Sequence, residues 1–275
     1  MRSLGVHVRI GLAAALACCA AALAPAVAAA DVSDLLPAVS PPGANDFTCK
    51  PTAAHPAPVV LVHGTFEGAA DNWATASPKF KAAGYCVFAL EYGNRGTGDI
   101  GASAGQLARF VDAVLGATGA RKVSMVGHSQ GGMMPRYYLK FLGGTSKVDD
   151  LVGLAPSNHG TTNPGAIVAG ATFCPACDQQ RAGSPFLTNL NAGDETPGAV
   201  SYTQIETRYD EVVTPYTSAF LAPGPRTANI LLQDACPAEV IDHHEMPNDG
   251  LAIRWALQAL GRPGPADPAH PPSCV

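Results

Sequence analysis

From residue 59 onward, short apolar runs alternate along the chain with stretches of helical periodicity. Four short runs are almost entirely apolar, as strands are when both faces of a sheet are buried, and they are 59–62, 86–90, 123–126 and 151–154. Two further segments have strand character, the alternating segment 201–209 and the segment 229–232. Apolar residues follow helical spacing in two other stretches, through Leu107, Phe110, Val111, Val114 and Leu115 and through Ile253, Ala256, Leu257 and Leu260. This alternation predicts an α/β fold, a mostly parallel sheet with helices on both faces.

Segments without such a period predict the boundaries and the rim of the domain. Residues 31–56 carry Pro and small residues and predict a surface lead-in, and a Pro/Ala-rich tail follows from Pro263. The stretch 157–200 is rich in Gly, Thr, Asn and Pro. Ligands of open α/β sheets bind beyond the carboxyl ends of the strands, where a long loop of this kind predicts a rim or a lid. We expect one domain over residues 31–275.

The first 30 residues have the three-part pattern of a secretory signal peptide. Arg2 and Arg9 make the start positive, residues 10–24 are almost entirely small and apolar, and three alanines at 28–30 end the segment. A membrane anchor is the alternative, but Pro25 breaks the apolar run before it reaches the ~20 residues that a spanning helix needs. The pattern predicts a secreted protein, cleaved near Ala30, without a stable membrane span.

Charge and cysteine content narrow the class of protein. The chain has 17 Lys+Arg, 22 Asp+Glu and a net charge of −5, with no long basic run, which argues against a nucleic-acid-binding protein. Cys18 and Cys19 fall in the signal segment, so six of the eight cysteines remain after cleavage. An even number in an exported chain predicts three disulfides. Cys174 and Cys177 are spaced like a redox or zinc pair, but no His at ligand spacing accompanies them, so a local disulfide is favoured over a metal site.

The strongest chemical signal is the pentapeptide Gly127-His128-Ser129-Gln130-Gly131, which lies between an apolar strand and a helix-compatible stretch. In that context G-x-S-x-G is a nucleophile elbow, a turn so tight that residues without bulk must flank the serine. Ser129 then stands at the N-terminus of a helix, whose N–H groups favour developing negative charge. His128, inside the elbow, is expected to point away from the serine. We therefore predict that Ser129 is a nucleophile.

A serine nucleophile needs a base, and the base needs an orienting acid; in this fold the chain order is Ser, then Asp or Glu, then His. Two histidines stand between the last strand and the last helix, and the residues alone leave both His243 and His244 open as the base. For the acid, Asp210 follows the strand 201–209 and lies between serine and base in the chain. Its rivals are the other carboxylates near that position or near the base, Glu206, Asp234 and Asp242.

Attack by the serine generates an oxyanion, which needs two preorganised N–H donors worth about 3 kcal/mol each. One donor is the N–H of the residue after the nucleophile, Gln130, and the other comes from the loop after the first strand. In that loop, His63-Gly64-Thr65, we assign Thr65, whose hydroxyl can add a third donor. This chemistry requires neither a metal nor a cofactor.

Six segments carry a further signal, and they are LVHGT at 61–65, GYCVFALEYG at 84–93, GHSQGGMMPRYYLKFLGG at 127–144, LVGLAPSNHGT at 151–161, TRYDEVVTP at 207–215 and CPAEVIDH at 236–243. Together they resemble the secreted bacterial triacylglycerol lipases of the class 2 lipase family, especially those of actinomycetes. The last two also resemble the lipase B type of yeasts, in which a TDE-V--P segment carries the acid and a VIDH segment the base.

The resemblance implies an α/β-hydrolase fold and a triad of Ser129, Asp210 and His243, with Thr65 and Gln130 as the oxyanion hole. It also implies a particular set of disulfides, Cys49–Cys86, Cys174–Cys177 and Cys236–Cys274. The second histidine, His244, departs from the yeast-type pattern.

The function that the residues and the resemblance favour is hydrolysis of carboxylic esters through an acyl-enzyme, with triacylglycerols as substrates and an oil–water interface as the partner. Short-chain esterases and polyester or cutin hydrolases share the triad, and an acyltransferase shares its mechanism. A secreted binding protein on a catalytically silent hydrolase fold is a remote alternative, because no member of the triad is missing.

Overall fold

The computed structural model describes residues 31–165, 168 and 172–274, together with Met1 and Gly5. The predicted signal peptide, residues 1–30, lies outside the described residues apart from Met1 and Gly5. The strands are β1 Val59–Val62, β2 Val87–Leu90, β3 Val123–His128, β4 Val148–Leu154, β5 Ser201–Glu206 and β6 Thr227–Leu231. They form one sheet in the order β2-β1-β3-β4-β5-β6, and every neighbouring pair is parallel. The carboxyl ends of all six strands therefore meet at one edge of the sheet.

The helices of the described ranges are α1 Ala69–Asn72, α2 Ala76–Ala82, α3 Ile100–Thr118, α4 Gln130–Phe141, α5 Pro175–Gln179, α6 Pro185–Asn191, α7 Leu232–Ala235 and α8 Gly250–Leu260. Shorter turns are Ser33–Leu35, Gly93–Gly96, Gly144–Ser146 and Tyr216–Ala219. The helix-compatible stretch after the elbow is α4, which begins directly after Ser129 and runs through Pro135.

Both faces of the sheet are covered by apolar side chains, as the uninterrupted runs predict. Along β1, Val60 and Val62 lie in the cluster that contains α3 and α4, whereas Val59 and Leu61 lie in the cluster that contains α8. All four side chains are fully buried. The predicted mostly parallel α/β sheet with helices on both faces is confirmed.

The predicted strand 201–209 is too long, and its alternating pattern is wrong. β5 ends at Glu206, and its last five residues are all buried because both faces of the strand are covered: Tyr202 lies in the cluster that contains α3 and α4, and Ile205 in the cluster that contains α8. Polar side chains such as Gln204 and Glu206 are therefore inside the protein. Alternating burial appears instead on the edge strand β6.

The lead-in 31–56 is more than a surface segment. Asn45 bonds to β2 as a further strand would: its side chain accepts from the N–H of Ala89 (2.8 Å) and donates to the carbonyl of Ala89 (3.0 Å), and its N–H donates to the carbonyl of Val87 (2.9 Å). Leu35 is buried in the core. The lead-in covers the open edge of the sheet, which protects it from pairing with another chain.

Three disulfides join segments that carry little regular structure. Cys49–Cys86 ties the lead-in to the residue before β2, Cys174–Cys177 spans the start of α5, and Cys236–Cys274 pins the tail to the residue after α7. These are the same three pairs that the family resemblance implies.

One carboxylate in the sheet, Asp150 on β4, opposes folding at neutral pH. It is 7% exposed and accepts a hydrogen bond from the hydroxyl of Ser124 (2.8 Å). Burial, with a smaller contribution from the neighbouring Asp149, raises the pKa of Asp150 from 3.8 to about 7. Because the folded-state pKa lies above the unfolded one, its contribution to stability is greatest below pH 4 and is lost as the pH rises to 7.

We therefore expect Asp150→Asn to stabilise the protein, by more at pH 8 than at pH 5. The shift of roughly three pKa units limits the gain to about 4 kcal/mol in the free energy of unfolding at pH 8. Urea unfolding at both pH values, with the disulfides intact, measures it. Asp149→Asn is the matched control, because Asp149 is exposed and paired with Lys122 (3.0 Å). An equal effect of Asp150→Asn at both pH values would contradict the prediction.

Candidate active site

Ser129 lies at the turn between β3 and α4, at the carboxyl edge of the sheet. Its backbone has φ 54° and ψ −122°, a conformation that costs a non-glycine residue energy and is found mainly at functional sites. A Cβ at Gly127 would collide with the carbonyl of Gly131, and a Cβ at Gly131 with the carbonyl of Val62. The two flanking glycines are thus required by the close approach of backbone to backbone.

His243 and Asp210 form a buried hydrogen-bonded pair. Nδ1 of His243 lies 2.7 Å from Oδ2 of Asp210, and the two residues are 2% and 7% exposed. The other carboxylate oxygen, Oδ1, accepts from the N–H groups of Val212 (2.8 Å) and Val213 (2.7 Å). Burial lowers the pKa of His243, although the hydrogen bond to Asp210 opposes this. The imidazole is therefore neutral near pH 7, with a hydrogen on Nδ1 that it donates to Asp210 and with Nε2 able to accept a proton.

The rivals for the acid and the base occupy other places. Asp242 accepts from the N–H of Glu245 (3.0 Å), Asp234 is exposed beside Arg208, and His244 is exposed next to the pair. Among the described residues, Asp210 is the carboxylate within hydrogen-bond distance of the His243 ring.

Glu206 is the rival that lies nearest to Asp210. It is fully buried and accepts from the N–H of Thr207 (2.7 Å) through Oε1. Burial and the adjacent Asp210 raise the pKa of Glu206 well above its usual value. Glu206 is therefore a neutral carboxylic acid next to Asp210.

Thr65 is held beside Ser129 by two side-chain amides. Its hydroxyl oxygen accepts from Nε2 of Gln130 (2.7 Å) and from Nε2 of Gln180 (3.0 Å). With both lone pairs occupied, the hydroxyl hydrogen is left to donate elsewhere. No acceptor among the described residues takes a hydrogen bond from the backbone N–H of Thr65 or of Gln130. Three donors near the serine are thus left without an acceptor in the described part of the chain: the N–H groups of Thr65 and Gln130 and the hydroxyl hydrogen of Thr65.

A strained turn supports this loop from behind. All four residues of Gly93–Gly96 have positive φ, between 52° and 69°. This left-handed backbone is conformationally unfavourable for the non-glycine residues Asn94 and Arg95. The N–H of Phe66 donates to the carbonyl of Arg95 (2.7 Å), and the Arg95 guanidinium donates back to the carbonyl of Phe66 (2.6 Å). Nε2 of Gln130 donates to the carbonyl of Gly96 (2.6 Å).

Ser129 and His243 line one cavity of about 230 Å³. Its other walls come from the loop after β1, from the segment after Asp210, and from the predicted rim segment 157–200; they include Thr65, Phe66, Val212, Val213, Ser157, Thr161, Cys177 and Gln180. The rim segment therefore contributes directly to the site. Two aromatic side chains stand at this side, Phe66 and Phe173, with ring centroids 6.1 Å apart.

Two kinds of feature are not found in the described part of the chain. No group of three or more His, Cys, Asp or Glu side chains there is arranged to hold a metal ion. None of its helices has the length and apolarity to cross a bilayer.

Sequence reasoning missed Gln180 and the turn Gly93–Gly96. A Gly-Asn-Arg-Gly string shortly after a strand is a usable signal for the turn, because Gly and Asn adopt left-handed backbone most readily. Gln180 carries no local signal, since its role depends on contacts across the fold.

Comparisons with known proteins agree with this architecture. Lipase B of Pseudozyma antarctica is 34% identical over 142 residues, which are 48% of this chain and 40% of that protein. A triacylglycerol lipase of Pseudarthrobacter phenanthrenivorans is 37% identical over 92 residues, 29% of this chain and 27% of that protein. The similarity thus spans less than half the length of these curated relatives.

Two solved structures share the fold. Lipase B of Aspergillus fumigatus superimposes with a TM-score of 0.73 at 24% identity, over 84% of this chain and 57% of that one. The mature form of a Bacillus licheniformis lipase gives a TM-score of 0.61 at 18% identity, over 76% and 94%. The fold is accordingly that of the α/β hydrolases. A family model described as Lipase (class 2) matches residues 56–256, most of the chain, and this protein therefore belongs to the class 2 lipase family.

Proposed function

We propose that this protein hydrolyses carboxylic esters, with acylglycerols as the substrate class, by a triad of Ser129, His243 and Asp210. One observation carries the proposal: His243 lines the same cavity as Ser129, and Nδ1 of His243 lies 2.7 Å from Oδ2 of Asp210. A neutral imidazole held in this tautomer is the form that activates a serine hydroxyl. Membership of the lipase family supports the same reaction.

In the first half-reaction, Oγ of Ser129 attacks the ester carbonyl carbon while Nε2 of His243 takes its proton. The oxyanion is bound by the N–H groups of Thr65 and Gln130 and by the Thr65 hydroxyl. The tetrahedral intermediate collapses, the bond from carbon to the alcohol oxygen breaks, and His243 returns its proton to the leaving alcohol. Asp210 stabilises the imidazolium that forms in between. An acyl-enzyme on Ser129 remains.

In the second half-reaction, water replaces the alcohol. His243 takes a proton from the water, whose oxygen attacks the acyl carbon, and the same donors bind the second oxyanion. Collapse breaks the bond to Oγ, and Ser129 recovers its proton from His243. The products are one alcohol and one fatty acid, and the reaction needs neither metal nor cofactor.

The cavity and its rim support acylglycerols as substrates. Its volume of about 230 Å³ is small beside the roughly 300–1,000 Å³ of ordinary ligand pockets, which favours a short acyl chain inside. Phe66 and Phe173 are 45% and 67% exposed at the rim, where apolar rings suit a lipid surface. The small volume of the cavity also favours a second candidate function, that of a short-chain esterase.

We further propose that the protein is exported, with residues 1–30 as the signal peptide and 31–275 as one hydrolase domain. Three disulfides support export, because such bonds persist in oxidising compartments. Mass spectrometry of the protein from culture medium checks the expected mature start at Asp31.

The proposal is tested by labelling with diethyl p-nitrophenyl phosphate, which phosphorylates activated serines. We expect one p-nitrophenolate released per protein, the label on the peptide that contains Ser129, and a parallel loss of tributyrin hydrolysis. Initial rates on tributyrin and on emulsified triolein then set the substrate class. Release of acid from both, faster from tributyrin, supports an acylglycerol hydrolase with a short acyl site.

Other outcomes contradict parts of the proposal. Release from tributyrin alone assigns the short-chain esterase. Inactivity on both, with hydrolysis of a polyester film, assigns a polyester hydrolase. A fully labelled protein that still turns over substrate, or no labelling at all, would overturn the assignment of Ser129.

A further inference from the structure

His128, the residue before Ser129, connects two segments of the site through its two ring nitrogens. It is 1% exposed. Its Nε2 lies 3.0 Å from the backbone carbonyl oxygen of His243, and its Nδ1 lies 2.9 Å from Oε2 of Glu67. Neither contact involves a reacting atom, and the elbow itself requires only small residues around the serine. The mechanism above therefore leaves this buried imidazole without a role.

Both ring nitrogens of His128 have partners in neighbouring segments. A carbonyl oxygen only accepts, so Nε2 donates to the carbonyl of His243. Nδ1 faces the carboxyl group of Glu67. Burial raises the pKa of Glu67, but the interaction with His128 and the hydrogen bond from the N–H of Gly64 outweigh it and lower that pKa to about 2.

Asn72 also contacts the ring. Its side-chain amide lies 3.1 Å from Nδ1 of His128, on the same side as Glu67.

Glu67 extends the connection to the loop that carries the oxyanion donors. Its Oε2 also accepts from the backbone N–H of Gly64 (3.0 Å), next to Thr65. A continuous set of hydrogen bonds therefore runs from Gly64 through Glu67 and His128 to the carbonyl of His243. It joins the loop after β1, the elbow and the segment of the base.

We propose that His128 and Glu67 are positioning residues for the base: the carboxylate of Glu67 orients the His128 ring, whose Nε2–H fixes the backbone of His243 relative to Ser129. The inference rests on the triad of the proposed function. It explains why a buried histidine paired with a carboxylate lies behind an elbow that needs neither for its own turn.

The base needs such a support because it stands on a loop. Residues 236–249, between α7 and α8, form no helix or strand. Asp210 fixes the ring of His243 at Nδ1, but a ring held at one nitrogen still moves with its backbone. The N–H of His243 has only a long contact to Glu211, 3.4 Å. A displacement of about 1 Å at a reacting group costs on the order of 10²-fold in rate.

Two substitutions of His128 separate its two contacts. The amide of Asn reaches the place of Nδ1 and keeps a donor toward Glu67, whereas the amide of Gln reaches the place of Nε2 and keeps the donor toward His243. We expect His128→Asn to lower kcat on p-nitrophenyl butyrate by about 10- to 100-fold with KM unchanged. His128→Gln should be several-fold more active than His128→Asn, because the donor toward His243 is present again although the contact with Glu67 is lost.

Glu67→Gln is the second test, and it covers the case in which His128→Asn does not fold. The Gln oxygen still accepts from Gly64, but the charge that holds His128 is lost, so we expect kcat to fall about 10-fold with KM unchanged. The matched control is Glu91→Gln. Glu91 makes a similar pair with His63 (3.3 Å) at the same edge of the sheet without reaching the base, and its variant should keep the wild-type kcat. Circular dichroism and thermal melts confirm the fold of each variant.

The inference is overturned if folded His128→Asn or Glu67→Gln keeps the wild-type kcat, if their defect lies in KM, or if His128→Gln is as impaired as His128→Asn. Failure of the proposed function looks different: the wild type itself is then inactive, or Ser129→Ala is as active as the wild type.

Discussion

Replacing Ser129 by alanine is expected to abolish ester hydrolysis while leaving the fold intact. Loss of a nucleophilic serine lowers kcat by about 10⁴- to 10⁶-fold, and what remains comes from the oxyanion hole and binding. The fold should survive because the turn is held by backbone: the N–H of Ser129 donates to Leu154 (2.9 Å), and its carbonyl accepts from Gly132 (3.0 Å). Initial rates on tributyrin at constant pH, with a thermal melt of each protein, measure both parts.

Ser157→Ala is the matched control, a serine that lines the same cavity. Its hydroxyl donates to Oε1 of Gln180 (2.7 Å), and Gln180 in turn donates to Thr65. Losing this contact disturbs an oxyanion donor only indirectly, so we expect a loss of less than about 10-fold in kcat. Equal rates for Ser129→Ala and the wild type would remove Ser129 from the mechanism.

The fold was predictable to the extent that it depends on local pattern. Consecutive apolar residues such as 59–62 mark strands buried on both faces, and those strands lie where the runs are. β5 shows the limit: its polar residues suggested an exposed face, yet Gln204 and Glu206 are buried because other parts of the chain cover both faces of this strand. Which strands become neighbours is decided by packing across the sheet, and no single segment encodes it.

The candidate active site was likewise predictable only where it depends on local sequence. Ser129 could be placed because the elbow is a local turn with a steric requirement for glycine, and chain order then narrowed the candidates for acid and base. The contacts of His128 could not be predicted, because Glu67 lies 61 positions away and His243 lies 115 positions away. A histidine inside the elbow has the same local sequence whether or not it supports the base.

Replacing Asp210 by asparagine is expected to lower kcat by about 10⁴-fold without loss of the fold. Oδ1 of Asp210 accepts from Val212 and Val213 (2.8 and 2.7 Å), and an asparagine must keep its oxygen there to satisfy both donors. Its NH₂ group then faces Nδ1 of His243 and donates to it. The imidazole is driven to the tautomer with hydrogen on Nε2, which cannot take the proton of Ser129.

Glu206→Gln distinguishes this effect from the loss of any buried carboxyl group nearby. Burial and the adjacent Asp210 raise the pKa of Glu206 well above its usual value, so its carboxyl group is already neutral and glutamine reproduces its size and charge. We expect Glu206→Gln to stay within about 10-fold of the wild-type kcat, far from the effect of a wrong tautomer. If Glu206→Gln caused the large loss of kcat and Asp210→Asn the small one, Glu206 would be the acid of the triad. The carboxylate that contacts His243 at 2.7 Å would then serve only the turn that follows β5.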